Sequence, residues 1–317
     1  MWTPRRVAAV SYLGPDFEPQ QPRRSRRAPL TVALAGLVPV ALLGWLVYDA
    51  AGGPGGKSTS SAPTASSASS ASSASSSSRT PGAPGAGGSG PLAGKVVVID
   101  PGHNPGNFRH TAEINQKVDI GTNRKECDTT GTATNAGYPE ADFTLDVSHR
   151  LRTLLERQGA TVKLTHDTQG GDKPPWGPCV DERARIGNAA HADAAISIHA
   201  DGSAAGNRGF HVILPGAVDA GGADTRPIVG PSRVLGEGIE SDFARVTGSR
   251  PANYVGDGTG LVTREDLGGL NLSTVPKVFI ECGNMRDSQD AARLTSGAWR
   301  QKAAEGISEG IMSFLRR

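Results

Sequence analysis

What this chain has little of narrows its function before anything it contains does. Its charges nearly cancel: 33 Lys and Arg against 31 Asp and Glu leave +2 across 317 residues, so the overall balance gives no argument for a nucleic-acid partner. Cysteine is scarce, with three in the whole sequence, so at most one bridge can form within it. No His-Glu-x-x-His pair, no phosphate-binding Gly-x-x-x-x-Gly-Lys loop and no Gly-x-Ser-x-Gly elbow occurs. Those absences set aside zincin-type proteases, P-loop enzymes and α/β-hydrolases. Internal repeats are missing too, and nothing in the sequence speaks to oligomeric state.

What is present is uneven along the chain. Residues 1–29 are polar, Pro-rich and basic, with "RRSRR" at Arg23–Arg27, and read as a cytoplasmic N-terminus. Leu30 to Tyr48 is an apolar run without a charge, and at about 1.5 Å per helical residue it approaches the ~30 Å hydrocarbon thickness. Arginine crowds only its N-terminal side, so the positive-inside rule places everything after Tyr48 outside the cytoplasm. Residues 30–48 therefore form a transmembrane anchor or an export signal. "SRRAPL" at Ser25–Leu30 loosely resembles a twin-arginine signal. Tyr48 and Asp49 sit badly for a small-x-small cleavage site, which favours a retained anchor. Residues 49–91 are a Ser/Ala/Gly/Pro tract with almost no large apolar side chain, and read as a flexible linker suited to O-glycosylation. Residues 92–317 are long enough for one domain with a substantial core, membrane-anchored or secreted outside the cytoplasm.

That location bears on the cysteines. Cys127 in "RKECDTTGT" and Cys179 in "WGPCVDER" stand among turn formers, and outside the cytoplasm the two are expected to bridge. The bond would close a loop of roughly fifty residues and contribute about 3–4 kcal/mol. Cys282 follows an apolar strand and reads as a buried free thiol.

Within the folded part, helical and strand patterns alternate. Phe143, Val147, Leu151, Leu154 and Leu155 make one apolar stripe after Pro139, stopped by Gly159. "ATVKLTH" (Ala160–His166) follows as a strand, Asp181–Ala190 as a helix, and "AAISIHAD" from Ala194 as a buried strand. "GFHVIL" (Gly209–Leu214) is another strand, Leu235, Ile239, Phe243 and Val246 another helical stripe, "PKVFIECGN" the last core strand, and Ala298–Leu315 a terminal helix. This order predicts an α/β fold, a single domain with a central mixed, mostly parallel sheet flanked by helices.

Two strands end alike: "VVVIDPGH" stops at His103 and "AAISIH" at His199. As parallel neighbours they would project both imidazoles from one edge of the sheet, where open α/β sheets bind ligands. Glu140 stands in the first turn of the helix after Pro139, where an acid also serves as a dipole partner. Beside two histidines it completes a two-His, one-carboxylate shell of the kind that holds catalytic zinc and leaves a position for water. Glu281 ends the apolar run "VFIE", where a charge is expensive to bury alone. It reads either as an ion-pair partner of Arg286 or as the general base that activates water. His110 is a candidate substrate contact. His149 reads as solvated and His191 as a helix cap, while His166 and His211 pack or face solvent.

At this point the residues carry a resemblance. "VVVIDPGHNPGN", "YPEADFTLDVSHRLRTLLERQG", "CVDERARIGNAAHADAAISIHAD" and "VPKVFIECGNMRD" resemble the successive motifs of zinc-dependent N-acetylmuramoyl-L-alanine amidases of the type 3 class, over roughly Gly94 to Arg317. The resemblance implies zinc (Zn2+) on His103, Glu140 and His199, with Glu281 as the catalytic glutamate. It also implies hydrolysis of the amide between N-acetylmuramic acid and L-alanine in peptidoglycan. The long polar insertion between His103 and Glu140 departs from the family's shorter "DPGHGG" pattern, and the chain is similar to the compact branch without a separate wall-binding module. Pro215–Leu261 reads as either an autoinhibitory insert or a substrate-binding wall. A zinc peptidase cutting another stem-peptide bond, and a silent wall-binding protein on the same fold, are the alternatives. Retention of all four candidate residues argues against the latter.

Overall fold

The computed structural model of the protein describes residues 89–167 and 175–317. The expected cytoplasmic segment, the membrane segment and all but the end of the expected linker lie outside the described residues. Among those described, no helix is long and apolar enough to cross a membrane.

The described residues form ten strands: β1 (Val96–Pro101), β2 (Lys117–Asp119), β3 (Arg124–Glu126), β4 (Thr161–Leu164), β5 (Ala194–Asp201), β6 (His211–Pro215), β7 (Asp219–Ala220), β8 (Ala223–Asp224), β9 (Leu261–Arg264) and β10 (Lys277–Asn284). The helices are α1 (Thr111–Ile114), α2 (Glu140–Arg157), α3 (Val180–Ala189), α4 (Arg226–Thr247), α5 (Gly268–Asn271), α6 (Ser288–Leu294) and α7 (Gly297–Leu315). Six strands make one sheet in the order β4-β1-β5-β10-β6-β9. The first four run parallel, β6 is antiparallel to β10, and β9 is parallel to β6. The expected mixed, mostly parallel α/β sheet is what forms. β2–β3 and β7–β8 are small separate hairpins.

Side chains alternate across a strand, and here the alternation separates two chemistries. Val97 and Ile99 of β1, Ile196 and Ile198 of β5, Val212 and Leu214 of β6, and Val278, Ile280 and Cys282 of β10 join the main apolar core. That core is completed by Phe143, Val147, Leu151 and Leu155 of α2, Leu235, Ile239 and Phe243 of α4, and Ala303, Ile307 and Ile311 of α7. A Cβ on Gly310 would lie 2.5 Å from the Ile239 Cα, so α4 and α7 approach backbone to backbone only because that residue is glycine. The intervening strand positions face the other way. There a smaller cluster of Val98, Ala192, Ala195 and Val275 packs with Ile186 of α3, and beyond it the face turns polar: Asp100, Ser197, His199, Lys277 and Glu281.

One placement differs from expectation in a way that matters. β5 forms over Ala194–Asp201, the span of "AAISIHAD", so His199 stands inside the strand and projects from the face of the sheet rather than from its edge. The strand expected over Ala160–His166 is Thr161–Leu164, leaving His166 just beyond it and buried. Nearly half of Pro215–Leu261 is α4, whose Ile228, Leu235, Ile239 and Phe243 are buried. The last three of these join the core on the face away from His199, so this helix does not cover the polar face.

Candidate metal centre

His103 lies two residues past β1 with φ 62, a left-handed conformation uncommon outside glycine. Its carbonyl accepts a hydrogen bond from Arg183 Nη2 at 2.9 Å, which holds that turn in place. Glu140 opens α2 after Pro139, whose extended backbone forms the cap. Two backbone amides fix its carboxylate: Ala200 N donates to Oε1 at 3.1 Å and Thr132 N to Oε2 at 2.9 Å. His199 comes from β5, its ring stacked on Phe279 with centroids 5.3 Å apart and planes 1° from parallel.

The three side chains converge. His103 Nε2 is 3.1 Å and His199 Nδ1 3.0 Å from Glu140 Oε1, and one ligand atom from each lies within 4.8 Å of the others. Gly131 borders this point with φ +72, and a Cβ there would come within 2.9 Å of Glu140 Oε2. Tetrahedral zinc with bonds of about 2.0–2.1 Å spaces its ligand atoms roughly 3.3 Å apart. The spacing and the donor set of two imidazoles and one carboxylate therefore fit such an ion. Electrostatics agrees. Burial works against charge on His103, yet Glu140 and Asp128 raise its imidazole well above the ordinary value. Burial likewise works against Glu140, and His103 and His199 hold it below the usual carboxylate range. The pocket is built to receive positive charge.

Glu281 lies level with His199 in the β5–β10 register and with His211 in the β10–β6 register. Its Oε2 is buried without a hydrogen-bond partner. Burial, then the charges of Asp201 and Glu140, push its carboxyl well above the ordinary range. The alternative of an Arg286 ion pair is not what forms: Arg286 Nη1 donates to the Ala133 carbonyl at 3.3 Å instead. Beside His103 and His199 a cavity of about 310 Å³ opens, walled by Phe279, Leu267, Val180 and Lys125.

Among the described residues, no other histidine joins the converging cluster. His110 Nδ1 is 3.2 Å from Glu113 Oε1. His149 is half-buried, 3.3 Å from Asp167, rather than solvated. His191 follows the end of α3 in a left-handed turn with φ 47. His166 and His211 are buried and lowered to about 4, both chiefly by burial. Cys127 and Cys179 are bridged and Cys282 is a buried free thiol, as the sequence indicates.

Sequence reasoning missed the layer behind the histidines. Asp128 Oδ1 is 3.5 Å from His103 Nδ1, and Ser197 Oγ is 3.1 Å from His199 Nε2. Asp100 and Arg183, both nearly inaccessible, join those partners. The signal was available: Asp100 ends an apolar strand as Glu281 does, and a buried charge demands a partner.

Fold and cluster together define a class: an α/β domain with a three-ligand site able to hold one metal ion and a cavity open beside it. Comparison with known proteins narrows the class. Residues 97–313 match the model of the N-acetylmuramoyl-L-alanine amidase family, and the chain belongs to that family. It is 40% identical over 229 residues to N-acetylmuramoyl-L-alanine amidase Rv3717 of Mycobacterium tuberculosis, covering 71% of this chain and 88% of that protein. The crystal structure of the amidase Ami1 from Mycobacterium smegmatis is similar with a TM-score of 0.64 and 39% identity, over 72% of this chain and 99% of that one. The apo form of Ami1 from Mycobacterium abscessus gives a TM-score of 0.63 at 40% identity, over 71% and 100% of the two chains.

Proposed function

We propose that the protein hydrolyses peptidoglycan at the amide between N-acetylmuramic acid and the L-alanine that begins the stem peptide, with zinc held by His103, Glu140 and His199 and with Glu281 as the catalytic acid–base. The observation that carries this is the convergence of His103 Nε2, His199 Nδ1 and Glu140 in a chain of this family. When bound, zinc would act as a Lewis acid on the scissile carbonyl and lower the pKa of water at the site.

The chain's own residues do the rest. Glu281 accepts a proton from the attacking water as its oxygen bonds to the lactyl carbonyl carbon. It then passes that proton to the alanine nitrogen as the C–N bond breaks. The products are a muramic acid carboxylate and a stem peptide with a free amino terminus. Its buried position without a hydrogen-bond partner keeps Glu281 available for that proton. A cation at the site would draw its raised pKa back down, toward a group able both to take and to give.

The bridge between Cys127 and Cys179 supports an extracytoplasmic, wall-facing location, with Leu30–Tyr48 as the proposed membrane attachment. Mass analysis of digested peptidoglycan tests the reading. Free stem peptide beginning at L-alanine is expected. Shortened stems would indicate a peptidase, and absence of product from zinc-loaded protein would overturn the assignment.

A further inference from the structure

We infer that Arg183 is a positioning residue for both histidines of the site, one guanidinium fixing the two imidazoles through separate carboxylates. The inference builds on the metal site proposed above, but its geometry does not depend on which metal binds. Arg183 sits on α3, its side chain 5% exposed. Nη2 donates to Asp128 Oδ2 at 2.8 Å and to the His103 carbonyl at 2.9 Å. Nη1 donates to Asp100 Oδ1 at 2.8 Å and to the Pro101 carbonyl at 2.6 Å. Nε donates to the Pro178 carbonyl at 2.8 Å. Arginine has five N–H donors in a planar fork, and here each has an acceptor.

The two carboxylates lead to different rings. Asp128 Oδ1 faces His103 Nδ1 at 3.5 Å, alongside the Thr129 carbonyl at 3.2 Å. The Thr129 hydroxyl stands at 3.2 Å as well, and the carboxylate and carbonyl, which only accept, hold the hydrogen of a metal-bound imidazole on Nδ1, with Nε2 turned to Glu140 and the metal position. Asp100 Oδ2 accepts from Ser197 Oγ at 2.9 Å, and that hydroxyl lies 3.1 Å from His199 Nε2. Because the Ser197 hydrogen is committed to Asp100, its oxygen accepts from Nε2–H, and Nδ1 is the nitrogen turned to Glu140 and the metal position. Each ring thus offers the nitrogen that faces Glu140, and each does so through a carboxylate held by the same cation. Groups behind a metal ligand set its tautomer and orientation. Here one side chain does this for two residues, one just past β1 and the other on β5. Lysine has the charge but only three donors and no fork, and cannot span both carboxylates and the three carbonyls.

The test compares the full chain with its Arg183→Lys variant in two readouts other than turnover. In the metal-free protein, imidazole ring resonances should be single and sharp for His103 and His199 in the original chain and shifted or doubled for both in the variant. Zinc affinity, measured by chelator competition, should fall about 10–100-fold. Change in neither ring, or in one ring alone, overturns the inference whatever the metal affinity. Absence of stoichiometric zinc in the original chain would defeat the metal reading while leaving the ring resonances to decide this one. Should Arg183→Lys fail to fold, Asp128→Asn and Ser197→Ala replace it. Sharing Arg183, they should perturb ring resonances non-additively when combined, and strict additivity overturns the inference.

Discussion

Cutting the bridge between Cys127 and Cys179 tests whether the fold and the metal centre share one support. The bond spans 52 positions of sequence, and the chain-entropy relation for such a loop gives about 4 kcal/mol lost on its removal. For a domain of this size each kcal/mol moves the melting temperature by about 2–4 °C, so Cys127→Ala combined with Cys179→Ala should lower Tm by about 8–16 °C. The location adds a second effect. Cys127 immediately precedes Asp128, and Cys179 caps α3 one turn before Arg183. Val180 N also donates to the Cys127 carbonyl at 2.8 Å. The bond therefore staples the strand end that carries one partner of the Asp128–Arg183 pair to the helix that carries the other. Calorimetry on metal-free and zinc-loaded protein separates the two effects. The metal-free Tm should fall, and the further rise on adding zinc should be smaller than in the original chain. A metal-free Tm within about 2 °C of the original would refute the entropic reasoning. A full zinc-induced rise would refute the link to the site.

Three further outcomes follow from the same geometry. His199→Ala removes one of three converging ligand atoms, so metal analysis of the purified variant should find no stoichiometric zinc; a full equivalent would sink the ligand set. Glu281→Gln keeps the shape but cannot accept a proton, so zinc should remain while peptidoglycan turnover drops ~10²-fold or more; wild-type activity in the folded, loaded variant would remove Glu281 from the mechanism. Burial, with Arg183 nearby, lowers His166 from 6.5 to about 4. The unfolded chain therefore binds more protons between those values, and stability is full above about pH 6.5 and lost as pH falls toward 4, by up to about 3 kcal/mol. Urea unfolding from pH 7 down to pH 5 should show this slope in the original chain and a flatter one in His166→Gln; equal slopes would refute it.

The fold was legible because periodicity and punctuation agreed. Pro139 and Gly159 bracket a five-residue stripe that became α2, and "VVVID", "AAISIHAD" and "VFIECGN" are near-continuous apolar runs of the sort parallel strands require. The converging triad was legible because each member broke a local pattern: a histidine past a strand, a second histidine inside one, an acid opening a helix. Arg183 was not legible, since in "CVDERARIGNAA" it reads as one charge among several on a solvated helix. Only the fold shows that this turn of α3 faces Asp100 and Asp128. The face on which His199 stands was equally hidden. A period of two fixes which residues share a side of a strand, but not which side meets the apolar core and which the polar cluster.

The division of the sheet into two faces also explains how this domain tolerates its centre. Asp100, Asp128, Arg183 and Lys277 are each no more than 6% exposed, and Glu281 Oε2 is buried without a partner. Burying ions costs several kcal/mol each, and well-packed apolar replacements for buried ion pairs are often as stable or more so. Stability therefore does not account for these residues. The opposite face supplies what they withhold: Phe143, Leu151, Leu155, Leu235, Ile239 and Phe243 are fully buried against it, each contributing about 1.5–3 kcal/mol by removal from water. With that core in place, the polar face is free to be selected for orientation. Its two acids and two bases neutralise one another in the interior, and their geometry is directed at two imidazole nitrogens. Glu281 stands outside that balance: burial, Asp201 and Glu140 raise its carboxyl well above the ordinary range, and the opposing charges of His103 and Arg264 offset this only in part, which is consistent with the proton-moving role proposed for it.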